Sequence, residues 1–199
     1  MKHFALVSIT VYLFYIFIYS AWAFFAFEVL GNSELGSYFY LPHGARVLMF
    51  CFFRWRSIPA LIAAEATGYG LITINLLDIA QEPSIWWWEA STVASIFSVV
   101  AAVSLVKWSV DDTGIGTGLL KPISFANYRF LVLVVFISAL LNAVFTNFVI
   151  GYFNPFLLVD IQRVLRYVIG DIIGSFTVIA GLMAIFTTLK NSKLIVPTE

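Results

Sequence analysis

Charge is what this chain has least of. Only 11% of its 199 residues are Asp, Glu, Lys or Arg, 11 of them basic and 11 acidic. A soluble domain carries about 25%, so this chain lacks the polar surface to meet water on every side. A formal net charge of zero gives no bias toward nucleic acid or an acidic substrate, and no nucleic-acid partner is expected. The single cysteine, Cys51, excludes an internal disulfide framework and any multi-cysteine metal site. Two histidines, His3 and His43, are too few for a histidine-rich metal centre. No metal and no cofactor is therefore expected.

What fills the space is apolar. Hydrophobic residues make up 61% of the chain and aromatics 18%, with a mean hydropathy of +0.96. The solvent for such a chain is lipid. Apolar runs that approach the roughly 20 residues of a membrane helix cover 4–27, 38–53, 58–77, 89–106, 130–150 and 167–189. The expectation is an all-α polytopic transmembrane helix bundle of about six spans in one integral membrane domain. The second run is the shortest, below the thickness of a bilayer core. The first begins after Lys2 and contains Ala21-Trp22-Ala23, loosely like a cleavage site. Its uncharged core is longer than the about 7–15 residues of a signal peptide, so it reads as a retained anchor.

Positive charge orients the bundle. With Lys2 in the cytoplasm, Arg54, Arg56, Lys107, Lys121, Arg129, Lys190 and Lys193 all fall on that side. The segments on the far side carry Glu28, Glu34, Asp78 and Glu82 without a lysine or arginine. Both termini are expected inside. Against this bias, His43, Arg46, Arg163 and Arg166 share the outer side, and a local carboxylate, anionic ligand or lipid headgroup would hold them there.

Two acids lie within spans, Glu65 and Asp171. Each costs about 2.5–3.5 kcal/mol at a lipid-exposed helix centre, so both should face the bundle interior. Arg163, Tyr167 and Asp171 line one sector of the last span. Gly170 and Gly174 form a small-xxx-small pair there, as Ala60, Ala64 and Gly68 do beside Glu65. Asn142, Thr146 and Asn147 add polar groups to the fifth span. Together these predict a polar pocket opening outward, with Asp171 as the counter-ion of Arg46 or Arg163. The bland alternatives are ion pairs that only fix helix register, arginines that snorkel to the interface, and asparagines that glue helices together. Trp86-Trp87-Trp88 reads as an interfacial aromatic belt. "GIGTG", inside the long segment 108–128, lacks the Lys-Ser/Thr of a phosphate loop and reads as a linker. Cys51 has His43 eight residues before it, a weak basis for a thiol enzyme, and no enzymatic activity is expected.

Two blocks resemble the membrane-associated sensor (MASE-type) domains of bacteria. "YLPHGARVLMFCFFRWRSIPALIAAE", Tyr40 to Glu65, is similar to that family's Pro-x-Gly motif, apolar run, aromatic-arginine turn and proline before the next helix. "RVLRYVIGDIIG", Arg163 to Gly174, is similar to its late helix with a Gly-Asp-x-x-Gly motif. The resemblance implies a multi-pass inner-membrane sensory module that binds a ligand. It marks Pro42, Gly44, Gly170, Asp171 and Gly174, with Arg46, Arg163 and Arg166 as basic companions. Members of the family usually precede a cytoplasmic enzyme; this chain reads as a shortened, stand-alone form acting through a separate partner. The expected partners are the bilayer, a small molecule or lipid, and a membrane protein or a second copy. Two other functions fit the length and composition. One is a six-helix substrate-binding component of a small-molecule transporter, although the first span lacks its Ala-x-x-x-Ala coupling motif. The other is a membrane assembly subunit.

Overall fold

The computed structural model describes residues 2–26, 38–75, 86–110, 128–153 and 159–192. Glu28, Glu34, Asp78, Glu82, Lys121, Lys193 and the "GIGTG" segment lie outside the described residues, as do the side chains of the Trp86-Trp87-Trp88 belt. Among the described residues the chain is all-helical: α1 (Lys2–Phe24), α2 (Leu41–Phe53), a 3-10 turn (Arg54–Arg56), α3 (Ile58–Asn75), α4 (Trp86–Val110), α5 (Tyr128–Phe153) and α6 (Ile161–Asn191). An apolar medium offers backbone amides no partner, and a helix satisfies them within one segment.

Among the described residues, four stretches are long and apolar enough to cross a membrane: Phe4–Phe24, Glu89–Val106, Arg129–Phe153 and Ile161–Leu189. This is a multi-pass membrane protein by length and composition. The two helices between the first and second of these are different. With 13 residues, α2 is about 20 Å long, against about 30 Å for a bilayer core. Its setting explains how so short a helix is stable. Every residue from Pro42 to Cys51 is buried, and α2 packs against α1, α4, α5 and α6. A helix walled in by protein has no need to match the bilayer.

The outer helices each turn one stripe toward it. On α1 the buried positions are Val7, Val11, Tyr15, Tyr19 and Ala23, one per turn, while Leu13 and Phe17 face outward. On α5 Leu131, Val134, Val135, Ser138, Ala139, Asn142, Ala143, Thr146 and Asn147 follow the three-four rhythm of a helix with one packed face. Leu133, Phe136, Leu140 and Val144 lie on its exposed side.

The seam between α2 and α6 is the tightest contact. Gly44 faces the Ser175 backbone and Gly174 faces the Tyr40 carbonyl so closely that a Cβ at either would overlap it. The Tyr40 N–H donates to the Gly170 carbonyl at 3.0 Å, joining the two backbones directly. Pro42 sits in the first turn of α2, where its missing N–H costs nothing. Gly68 on α3 abuts the Tyr19 ring. At the other end of α2, Arg54 takes φ 56°, the only positive φ at a non-glycine among the described residues. Ser57 clamps that turn by donating from Oγ to the Arg54 carbonyl at 2.6 Å. The last helix begins at Ile161, earlier than the span expected from 167, because Asp160 caps it by accepting the Arg163 N–H at 2.8 Å.

Candidate functional site

The polar residues around α2 form two hydrogen-bonded clusters that meet at His43. Arg46 faces α1 and α3. Its Nε donates to Glu65 Oε1 at 2.9 Å, its Nη2 reaches the same oxygen, and Nη2 also lies 3.3 Å from the Tyr15 hydroxyl. Tyr15 in turn donates to Glu65 Oε1, so three donors converge on a single carboxylate oxygen. Arg46 is 1% exposed and Glu65 2%, and their charges cancel inside the bundle. A guanidinium cannot discharge itself by losing a proton, so burial at this depth requires a counter-ion in contact.

One turn earlier on α2, His43 faces the other way. The Arg46 Nη1 lies 3.3 Å from its Nδ1, and Ser138 Oγ of α5 lies 3.0 Å from its Nε2. Asp171 Oδ2 of α6 is 3.6 Å from Nδ1 and accepts from Asn142 Nδ2 of α5 at 2.6 Å. Asn142 Oδ1 accepts from Thr146 Oγ1 at 3.0 Å, and Thr146 lies 3.3 Å from Ser95 Oγ of α4. The two clusters, 3.6 Å apart between His43 and Asp171, together take at least one side chain from each of the six helices.

Ser138, His43 and Asp171 have the composition of a hydrolase triad, and the hydrogen bonds decide against that chemistry. Arg46 can only donate, so His43 Nδ1 accepts and the ring proton sits on Nε2, pointing at Ser138. Ser138 passes its own proton to the Val135 carbonyl at 3.1 Å. A general base needs the opposite tautomer, with a free Nε2 lone pair aimed at the serine and Nδ1–H aimed at the aspartate. Here 3.6 Å is too long for the second bond, and His43 and Ser138 are both 0% exposed. Cys51 is buried two turns along α2 from His43, whose ring nitrogens are turned to other partners.

The eight candidate side chains divide into two sets. His43, Arg46, Glu65, Asn142 and Asp171 belong to these two clusters, each 2% exposed or less. An outward-opening pocket lined by all eight is therefore not what these residues build, because five of them are enclosed in the core. Arg163, Arg166 and Tyr167 are only half-buried, in the first two turns of α6. The Arg166 guanidinium lies 5.5 Å from the Tyr38 ring centroid and Arg163 lies beside the Tyr167 hydroxyl. No direct ion pair joins Asp171 to Arg46 or Arg163 among the described residues. Arg46 projects toward α3 and takes Glu65, while Arg163 is eight residues, or about 12 Å of helix, from Asp171. Asp171 uses an amide instead, and its Oδ1 and the nearby Ser175 Oγ have no partner among the described residues.

Sequence reading missed Tyr15, Ser138 and Ser95. Tyr15 had a signal: it falls on the Val7–Val11–Tyr15–Tyr19–Ala23 stripe, the only one on α1 that carries two tyrosines. Elsewhere, a shallow apolar groove of about 270 Å³ lies between α4 and α5, lined by Val93, Phe97, Phe145 and Phe148 among others, away from all these groups. No family model, curated protein or solved structure matches this chain.

Proposed function

We propose that this chain is a non-enzymatic, ligand-responsive module of a bacterial inner membrane, with six membrane-embedded helices and both termini in the cytoplasm. It acts through a separate membrane partner. The observation that carries the reading is the central, protein-enclosed α2, around which two polar clusters that meet at His43 draw on all six helices. A helix so placed would pass a displacement of α6 to the helices on its other side, as a signalling module requires. The resemblance of residues 40–65 and 163–174 to MASE-type sensor segments supports the same class.

The distribution of basic residues supports the orientation. It does not depend on whether α2 and α3 each span or together form a re-entrant hairpin. Either way the chain re-emerges on the side it left, and the direction of α4, α5 and α6 is unchanged. A periplasm-sensitive reporter joined after Pro83 should be active and one joined after Gly118 silent; the reverse pattern would invert the assignment.

The ligand-binding reading is tested by purifying the protein in mild detergent, denaturing it, and identifying by mass spectrometry what leaves. A defined small molecule or lipid at near one per chain is expected. A preparation that releases nothing beyond bulk lipid, and stays equally stable after exhaustive delipidation, would remove the basis for calling this a sensor.

A further inference from the structure

We infer that the first two turns of α6 form a site for a phosphate-bearing anion, carried by a lipid headgroup or a free small molecule, with Arg163 as its main donor. This rests on the ligand-binding reading above and names the ligand's chemistry.

The starting point is an incomplete hydrogen-bond account. Nε and Nη2 of Arg163 are both buried and have no acceptor among the described residues. Buried donors in native proteins are nearly always met, and a guanidinium stays charged, so Arg163 calls for an acceptor that the described residues do not supply. The two orphan atoms are also informative as a pair. Nε–H and one Nη2–H point in parallel along one edge of the guanidinium, the fork that takes two oxygens of one anion.

The carboxylates nearest along α6 do not pair with the Arg163 guanidinium among the described residues. Asp160 is exposed and its Oδ1 caps the helix through the Arg163 backbone N–H at 2.8 Å. Asp171 lies two turns deeper and accepts from Asn142 at 2.6 Å.

Two neighbours and a position along the helix fit a phosphate better than a lone carboxylate. Tyr167, one turn on, brings a hydroxyl beside Arg163 for a third oxygen. Arg166 adds a second cation three residues along, with its guanidinium over the Tyr38 ring at 5.5 Å. The stretch of α6 apolar enough to cross a membrane begins at Ile161, so Arg163 sits within its first turn, where a headgroup phosphate would come within its reach.

The test is native mass spectrometry of the full chain in phosphate-free, uncharged detergent, titrated in one arm with inorganic phosphate and in another with short-chain phosphatidylglycerol. Wild type should show one saturable adduct. Arg163→Gln should weaken it by about tenfold or more, the expected loss for a charge-assisted fork, with Arg56→Gln in the α2–α3 turn unchanged. Saturation by phosphatidylglycerol alone identifies a headgroup site, and saturation by inorganic phosphate identifies a site for soluble phosphates. Should Arg163→Gln not fold, Arg163→Lys keeps the charge without the fork and Tyr167→Phe removes the hydroxyl; each should weaken the adduct. Equal binding by wild type and the folded Arg163 variants overturns the inference, as does the absence of an adduct in both arms. If denaturation nonetheless releases some other molecule, the ligand-binding reading survives and only the phosphate assignment falls.

Discussion

Arg46 and Asp171 are both buried charges facing the same short helix, yet the bundle satisfies them by opposite means. On the α1–α3 side a full ion pair is built, with Arg46 and the Tyr15 hydroxyl converging on Glu65. On the α5–α6 side Asp171 meets only an amide at 2.6 Å and an imidazole nitrogen at 3.6 Å, and one of its oxygens has no partner among the described residues. The first half is saturated and held by charge. The second is held by neutral polar groups and by the glycine seam of α2 against α6. Substitutions should therefore be felt very differently on the two sides.

The largest effect is expected at Glu65. Glu65→Gln strands a buried guanidinium and should cost about 3–5 kcal/mol in reversible unfolding from mixed micelles. A loss below about 1 kcal/mol would mean that water or lipid reaches Arg46 and that this half is not closed. Next comes the seam. Gly174→Ala drives a methyl into the Tyr40 carbonyl and should cost about 1–3 kcal/mol, because backbone rather than a flexible side chain must give way. Gly181→Ala, on the same helix with nothing within 4 Å of the added carbon, is the matched control and should change stability by no more than about 0.5 kcal/mol. Equal effects at 174 and 181 would show that α6 does not rest on α2 as described. The smallest effect on a buried charge is expected at Asp171. Asp171→Asn keeps an acceptor for Asn142 and leaves no cation stranded, so its cost should stay near 1 kcal/mol. A cost as large as that of Glu65→Gln would erase the contrast between the halves.

Much of the helix content and many of the polar partners were legible in the chain, for a simple reason. A chain this poor in charge cannot leave an acid in lipid, so Glu65 and Asp171 had to point inward. The small residues beside them, Gly68 on α3 and Gly170 and Gly174 on α6, marked where neighbours come close. The pairing itself was not legible. Which carboxylate meets Arg46 depends on the rotation of α2 about its own axis, and α2 has apolar residues on every side, so its sequence carries no exposed face to fix that rotation. The status of α2 was hidden for the same reason: a 13-residue apolar helix reads as a short span until its neighbours are seen to enclose it. Tyr15 escaped notice because a tyrosine in an aromatic-rich helix looks like packing until its hydroxyl finds an acid.

A double-mutant cycle at position 46 tests the central claim most directly. Unfolding free energies are compared for Arg46→Gln, Glu65→Gln, Asp171→Asn and the two doubles that contain Arg46→Gln. The account predicts strong coupling between 46 and 65, on the order of 2 kcal/mol or more, with the double change less damaging than the sum of the singles. Between 46 and 171, which meet only through the shared His43 Nδ1, the coupling should be smaller, about 1 kcal/mol or less. Strong coupling of Arg46 to Asp171, with simple additivity to Glu65, would contradict it.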